Sequence, residues 1–175
     1  MDTLERSFRN APGNVPQELK DLEADWWARD REMGQSFARG IMSRLQVTEA
    51  NILEDASLPG RREARLVFEI DVTPDMCNAL QAMHGGCTAT FVDVCTFMAR
   101  NLVPTNADPV MTVSLALNVV YHAPAPLGSR LRIICSSVSK GSRVITSRAE
   151  IYDVTHGRIV ASGTHIKVPP SQPKL

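Results

Sequence analysis

The sequence predicts an α+β domain: an antiparallel sheet wrapped around one central buried helix, with an extra helix on the N-terminal side. Three observations lead there. From Gly86 to Ala99 the chain carries a single charged residue, Asp93, and almost no polar side; a helix apolar all round belongs inside a protein. Segments with strand alternation flank it, two before and four after, and the last of them follow one another across short turns that favour antiparallel pairing. The length, 175 residues, suits one domain able to bury a sizeable core.

Composition narrows the function classes. Nineteen Lys+Arg balance nineteen Asp+Glu with no basic block, which argues against nucleic acid as the main partner. No run is apolar enough over the ~20 residues that a membrane span requires. The start, Met1-Asp2-Thr3-Leu4-Glu5-Arg6, lacks the basic-then-apolar order of an export signal. The four cysteines, Cys77, Cys87, Cys95 and Cys135, form no Cys-x-x-Cys pair and have no His at metal-ligand spacing. Reduced core thiols in a cytoplasmic protein are the expectation, with no metal and no cofactor.

Taken in order, residues 1–14 are polar and expected to be poorly ordered. From Pro16 the pattern turns helical. Leu19, Leu22, Trp26, Met33 and Phe37 share a stripe, with Asn14 as the start signal. That stripe is expected to pack on the body of the domain, with Trp26-Trp27 as packing residues rather than a ligand groove. Ile41 to Val47 reads as a strand with Ile41, Leu45 and Val47 on one face, and a loop from Asn51 to Arg62 turns at Pro59-Gly60. Ala64, Leu66, Phe68 and Ile70 then alternate with polar residues as a half-buried strand. Thr73-Pro74-Asp75 breaks it, and 78–83 approach the central helix.

Beyond the helix, 112–121, 130–138, 143–153 and 158–168 read as strands, with breakers at Pro124-Ala125-Pro126-Leu127-Gly128, Lys140-Gly141-Ser142 and Thr155-His156-Gly157. In the first of them Val113, Leu115, Leu117 and Val119 face one way and Ser114, Ala116 and Asn118 the other. The chain therefore divides into an N-terminal tail and amphipathic helix (1–37), a core domain (38–168) and a Pro-rich tail (169–175).

The central helix also carries the candidate chemistry. Gly85-Gly86 lets another group approach the backbone where a helix start gathers unpaired N–H groups and positive dipole. A lone acid on an apolar helix is costly to ionise, so the Asp93 pKa is expected to rise, which suits a general base. Gly85 and Asp93 are eight residues apart, ~12 Å along one helix. A reacting carbonyl must lie within ~3 Å of both the oxyanion donor and the attacking water. Two antiparallel helices from two chains satisfy that where one helix does not.

These residues carry a resemblance. Asn78-Ala-Leu-Gln-Ala-Met-His84-Gly85-Gly86, then Ala89-Thr90-Phe91-Val92-Asp93, Ser114 through Asn118-Val-Val-Tyr121, and Ala123-Pro124-Ala125 resemble the hotdog-fold thioesterases, specifically the small acyl-CoA thioesterases of the PaaI and thioesterase-superfamily-member-2 type. The resemblance covers roughly residues 38–168. It implies a homo-oligomer, a dimer or a dimer of dimers, that hydrolyses an acyl-CoA or acyl-carrier-protein thioester. It implies that Asn78 and the Gly85 N–H polarise the thioester carbonyl and that Asp93 is the base or nucleophile. Ser114 then helps hold the attacking water, and His84 supports the loop.

Two rivals remain at this level: a hotdog dehydratase or hydratase, and a non-catalytic acyl-thioester-binding protein. His122, His156 and His165 are expected at strand ends or on surface faces without a catalytic part. Arg143, Arg148 and Lys167 are weighed as contacts to coenzyme A phosphates against plain solvation. The last residues, Pro173-Lys174-Leu175, resemble a peroxisomal address with Pro in place of Ser. A cytoplasmic location is the expectation.

Overall fold

The computed structural model describes residues 1–34, 36–103 and 112–170. The Pro-Lys-Leu terminus lies outside them. Four helices, α1 (Thr3–Arg9), α2 (Gln17–Met33), α3 (Arg39–Met42) and α4 (Gly85–Asn101), accompany six strands: β1 (Gln46–Glu54), β2 (Arg62–Asp71), β3 (Val113–Tyr121), β4 (Arg130–Lys140), β5 (Ile145–Asp153) and β6 (Arg158–Val168). The strands form one antiparallel sheet in the order β1-β2-β4-β5-β6-β3. β3 reaches the far edge because α4 intervenes between it and β2, so it pairs with β6 instead of its sequence neighbours.

The sheet and α4 make the core that alternation and apolarity predict. Phe91, Val92, Cys95, Met98 and Ala99 of α4 are fully buried against Leu66, Phe68, Leu131, Ile133 and Ile151. At Gly163 of β6 the contact is closest. A Cβ there would stand 2.7 Å from Val92 Cγ1 and 3.0 Å from the Asn118 carbonyl oxygen. Only hydrogen fits where helix, β6 and β3 meet.

α4 is not enclosed all round, contrary to the sequence expectation. Thr90, Asp93, Val94 and Phe97 are half-buried, because one sheet covers one side of a helix. β3 is correspondingly open. Val113, Leu115 and Val120 are 49%, 63% and 58% exposed, so the alternating apolar residues of this strand do not all face the core. A bulge between Ser114 and Ala116 shifts its register.

The N-terminal region corrects the sequence reading in four places. Residues 3–9 are a helix, capped by the Asp2 carboxylate, which accepts from Glu5 N–H at 3.0 Å. Leu4 and Phe8 are fully buried in the main core, and Leu4 N–H donates to the Ser43 carbonyl at 3.2 Å while Ser7 Oγ accepts from Val47 N–H at 2.9 Å. Asn14 does not start α2, whose cap is Pro16. Its side chain bridges the Ile52 N–H and C=O of β1 at 2.6 and 2.9 Å.

α2 also presents the opposite face from the one expected. Lys20, Glu23, Ala24, Trp27 and Asp30 are buried, whereas Leu22, Trp26 and Met33, and Phe37 beyond the helix, are exposed. The polar face can go in because its members find partners. Lys20 Nζ donates to Ala11 O at 2.6 Å, Asn101 Nδ2 donates to Glu23 at 2.9 Å, and Arg39 pairs with Asp30 at 3.1 Å. Finally, Arg39–Met42 is helical and the first strand runs to Glu54. The predicted strand at 41–47 and loop at 51–62 were set several residues early.

Candidate active site

α4 begins at a built N-terminus. His84 is its cap, and its Nδ1 accepts from Gly86 N–H at 2.9 Å. The second glycine makes this possible, since a Cβ on Gly86 would lie 3.0 Å from that same nitrogen. A Cβ on Gly85 would meet the Tyr121 ring at only 3.4 Å or more. With Gly86 committed, the Gly85 N–H stands among the donors that a first helical turn leaves without an intrahelical acceptor. Tyr121 Oη donates to the Gly85 carbonyl at 3.0 Å, tying β3 to this turn.

Asn78 lies in the same depression as Gly85, together with Tyr121, His122 and the 123–126 segment. Its Oδ1 accepts from Leu80 N–H at 2.9 Å and Ala82 N–H at 3.4 Å. With the oxygen engaged in the turn, the amide nitrogen is the group left to donate outward. Asn78 and Gly85 are thus brought together as two donors beside one depression.

Asp93 lies elsewhere, on the wall of a second cavity of about 510 Å³ between α2 and α4. The two cavities share no lining residue. Within one chain the carbonyl-polarising pair and the acid are therefore not brought to one point. Nor is the acid buried as expected. Its side chain is 45% exposed in the single chain, on the side of α4 that the sheet leaves uncovered.

Around Asp93 the structure gathers groups that sequence reasoning had set aside. His165 is 1% exposed, with Nε2 3.4 Å from Asp93 Oδ1 and 2.9 Å from Ser114 Oγ. Its Nδ1 lies 2.8 Å from Thr96 Oγ1. Lys167 Nζ is 3.2 Å from Ser114 Oγ and 4.0 Å from Asp93 Oδ1. His165 is therefore no surface residue. Lys167, weighed as a phosphate contact, is buried and stands over the Phe97 ring at 5.4 Å. Arg143 and Arg148 are exposed. His122 and His156 bond to Ser162 and to the buried Asp153 respectively.

Proton accounting orders this cluster. Thr96 gives its one hydroxyl hydrogen to the Val92 carbonyl at 2.6 Å, so it accepts from His165 Nδ1–H. Lys167 donates to Ser114, whose own hydrogen then points to His165 Nε2. Burial lowers the His165 pKa and Lys167 reinforces it, against the opposing charge of Asp93. A neutral imidazole results, as the chain of donors requires. Burial likewise lowers the Lys167 ammonium pKa, with Asp93 again opposing. The arrangement can hold a small polar molecule between a carboxylate, a hydroxyl and an ammonium.

The clue to His165 lay in the strand period. Gly163, His165 and Lys167 of β6 occupy one face, and Gly163 is pressed on Val92. Among the described residues no cluster of three or more His, Cys, Asp or Glu is placed to hold a metal. No helix among them is long and apolar enough to cross a membrane.

Comparison with known proteins agrees with the fold and the motif. Residues 80–160 match the thioesterase superfamily. Acyl-coenzyme A thioesterase 13 of Mus musculus is 29% identical over 116 residues, 66% of this chain and 81% of that protein. The crystal structure of zebra fish thioesterase superfamily member 2 superposes with a TM-score of 0.63 at 23% identity, covering 87% of this chain and 98% of that one. The E. coli PaaI protein from the phenylacetic acid degradation operon gives a TM-score of 0.61 at 16% identity, covering 86% and 95%. With its six-stranded antiparallel sheet packed on α4, the chain has the hotdog fold of these solved structures, and over residues 80–160 its sequence is similar to the thioesterase superfamily.

Proposed function

We propose that this chain hydrolyses acyl thioesters, with acyl-CoA as the substrate, as a homodimer whose two sites each draw on both chains. The observation that carries the reading is the separation of the two half-sites. Asn78 and Gly85 present donors in one cavity, while Asp93 lines another and is linked to Ser114 through His165 and Lys167. Pairing two chains with antiparallel α4 helices brings each donor pair to the other chain's acid. The half-buried outer side of α4 and the exposed apolar edge strand β3 support such pairing.

In this mechanism Asp93 takes a proton from a water that Ser114 holds, and the water oxygen attacks the thioester carbon. Negative charge builds on the carbonyl oxygen, facing the Gly85 N–H and the Asn78 amide. One such donor is worth ~2.7–4 kcal/mol. Collapse of the tetrahedral intermediate breaks the carbon–sulfur bond, and the proton held by Asp93 goes to the departing thiolate. His165 and Lys167 act by positioning Ser114 and Asp93. The similarity to acyl-coenzyme A thioesterase 13 supports this choice of substrate.

One observation bears on the hydratase or dehydratase reading: an imidazole lies beside the acid. Its nitrogens are taken by Thr96 and Ser114, so neither is left for proton transfer at a substrate carbon. Release of free thiol from acyl-CoA separates the reactions.

The two-chain site is tested by complementation. Asp93→Asn and Asn78→Ala damage different halves, so a mixed dimer holds one intact site and one doubly damaged site. Co-refolding two nearly inactive preparations should restore activity approaching half of normal per mixed dimer. Confirmed mixed dimers with no recovery would show that both groups act within one chain. The proposal also places the protein in the cytoplasm. Microscopy of an N-terminally tagged chain, with and without its last three residues, tests that against peroxisomal import.

A further inference from the structure

The cavity beside Asp93 is an apolar slot that the packing of α2 holds open. Leu19, Leu22 and Trp26 of α2 face Val94 and Phe97 of α4 across it, and Asp93 is the lining residue nearest the start of α4. Facing apolar surfaces close on each other when nothing restrains them. α2 is restrained from its other side, where Lys20 donates to the Ala11 carbonyl and Arg39 pairs with Asp30. Its polar stripe is thereby fixed, and Leu22 and Trp26 stay exposed. Several polar groups on the lining are already engaged, Asn101 with Glu23, Lys167 with Ser114 and Arg29 with the Asp25 carbonyl. The apolar side chains are left to receive a guest.

Position along α4 orders the slot. Glu23 meets Asn101, and three residues on Trp26 meets Phe97, four residues back, so α2 runs antiparallel to α4. The Trp26 and Phe97 rings stand 5.4 Å apart. They lie one turn from Asp93, ~6 Å along the helix, and Asn101 lies ~12 Å along it. An extended alkyl chain advances ~1.3 Å per carbon. An acyl chain that starts at Asp93 therefore reaches the ring pair at about its fifth carbon and Asn101 at about its ninth. The thiol arm of coenzyme A is the other candidate for this slot, but its amides and phosphates would enter without partners. Burying methylenes against Leu22, Trp26 and Phe97 is favourable instead.

We propose that the slot between α2 and α4 takes the acyl group of the thioester and that Leu22 and Trp26 determine acyl-length specificity, favouring an unbranched chain long enough to reach them over acetyl. The proposal rests on the acyl-thioesterase reading for its substrate and adds which side chains choose among acyl groups. Both belong to α2, outside the residues 80–160 that match the thioesterase superfamily. Val94 and Phe97 lie on the same helix as Asp93, so α4 places the start of the chain and α2 covers its continuation. A single methylene in an apolar pocket is worth about tenfold or more in kcat/KM, so contact with several is readable.

The test is a ratio: kcat/KM for decanoyl-CoA over acetyl-CoA, measured by thiol release. A ratio of about ten or more is expected for the unaltered protein, falling toward one in Trp26→Ala and part of the way in Leu22→Ala. A ratio cancels partial loss of folded enzyme, and Leu22→Ala stands in if Trp26→Ala proves unstable. A ratio near or below one in the unaltered protein overturns the proposal. So does a high ratio that neither variant lowers, because acyl length is then read elsewhere. Calorimetric binding of the same two compounds to the Asp93→Asn dimer, with and without Trp26→Ala, separates this proposal from the reaction. Preference for decanoyl-CoA that depends on Trp26, without turnover in the unaltered protein, keeps the subsite and removes the hydrolase. Turnover without that preference does the reverse.

Discussion

Replacing Glu23 by Gln should change how stability depends on pH, by an amount that the burial of this residue sets. The carboxyl is held at about 7 against an ordinary value near 4.5, chiefly by desolvation, with Asn101, Arg100 and Trp27 only partly offsetting it. Between those values the folded chain keeps a proton that the unfolded chain has released. The contribution of Glu23 is therefore fully present below pH 4.5, is lost as pH rises through 7, and is flat above. The difference of 2.5 units corresponds to about 3 kcal/mol. Gln keeps an oxygen for the Asn101 amide and has nothing to titrate.

The assay is urea unfolding of both proteins at pH 4.5, 6 and 8, at one protomer concentration since association adds to stability. The stability of Glu23→Gln minus that of the unaltered protein should grow by about 3 kcal/mol over that range. Carboxylates held below the usual range, such as Asp153, whose burial is outweighed by bonds from His156 and Ser129, are common to both proteins and cancel. Parallel curves would refute the reasoning, showing that solvent reaches Glu23 and that α2 does not seal this end of the cavity.

Asp93→Asn should lower turnover by ~10²-fold or more with little change in substrate binding; near-normal thiol release would remove Asp93 as the base. His165→Phe frees Ser114 and leaves Asp93 without its neighbour, and a loss of up to ~10²-fold in kcat is expected from misplacement alone. An altered kcat against pH profile would distinguish that positioning part from general destabilisation. Gly163→Ala should cost about 1–3 kcal/mol by overpacking, because the new methyl meets Val92 and a backbone oxygen; an unchanged melting temperature would mean that α4 does not press on β6. Pretreatment with a thiol-blocking reagent, then removed, should spare activity. Burial pushes the Cys87 thiol up to about 11, and burial with its Cys135 neighbour raises Cys95 as well.

What the sequence determined by itself is what short-range periodicity controls. The strands from β2 onward and the apolar helix followed from residue spacing, and β2, β5 and β6 end within a residue or so of where alternation placed them. Gly85-Gly86 was legible as a close backbone approach at a helix start, whereas His84 came from the resemblance as a loop support and its capping bond to Gly86 N–H from the structure. Position on a helix or strand was readable; what lies opposite was not. α2 buries its polar stripe because Asn101, Arg39 and the Ala11 carbonyl meet it; Asn101 is remote in sequence, and Arg39 and Ala11 lie outside the helix, on segments whose path local spacing does not fix. His165 and Lys167 alternate with Ile166 and Val168, so sequence alone favoured turning the apolar pair inward. The structure turns the polar pair inward, because Asp93 and Thr96 of α4 stand across from them. Only the tertiary arrangement decides that, since a buried polar group is tolerated when its partner arrives from another element, and the pairing of distant elements is not written in local spacing.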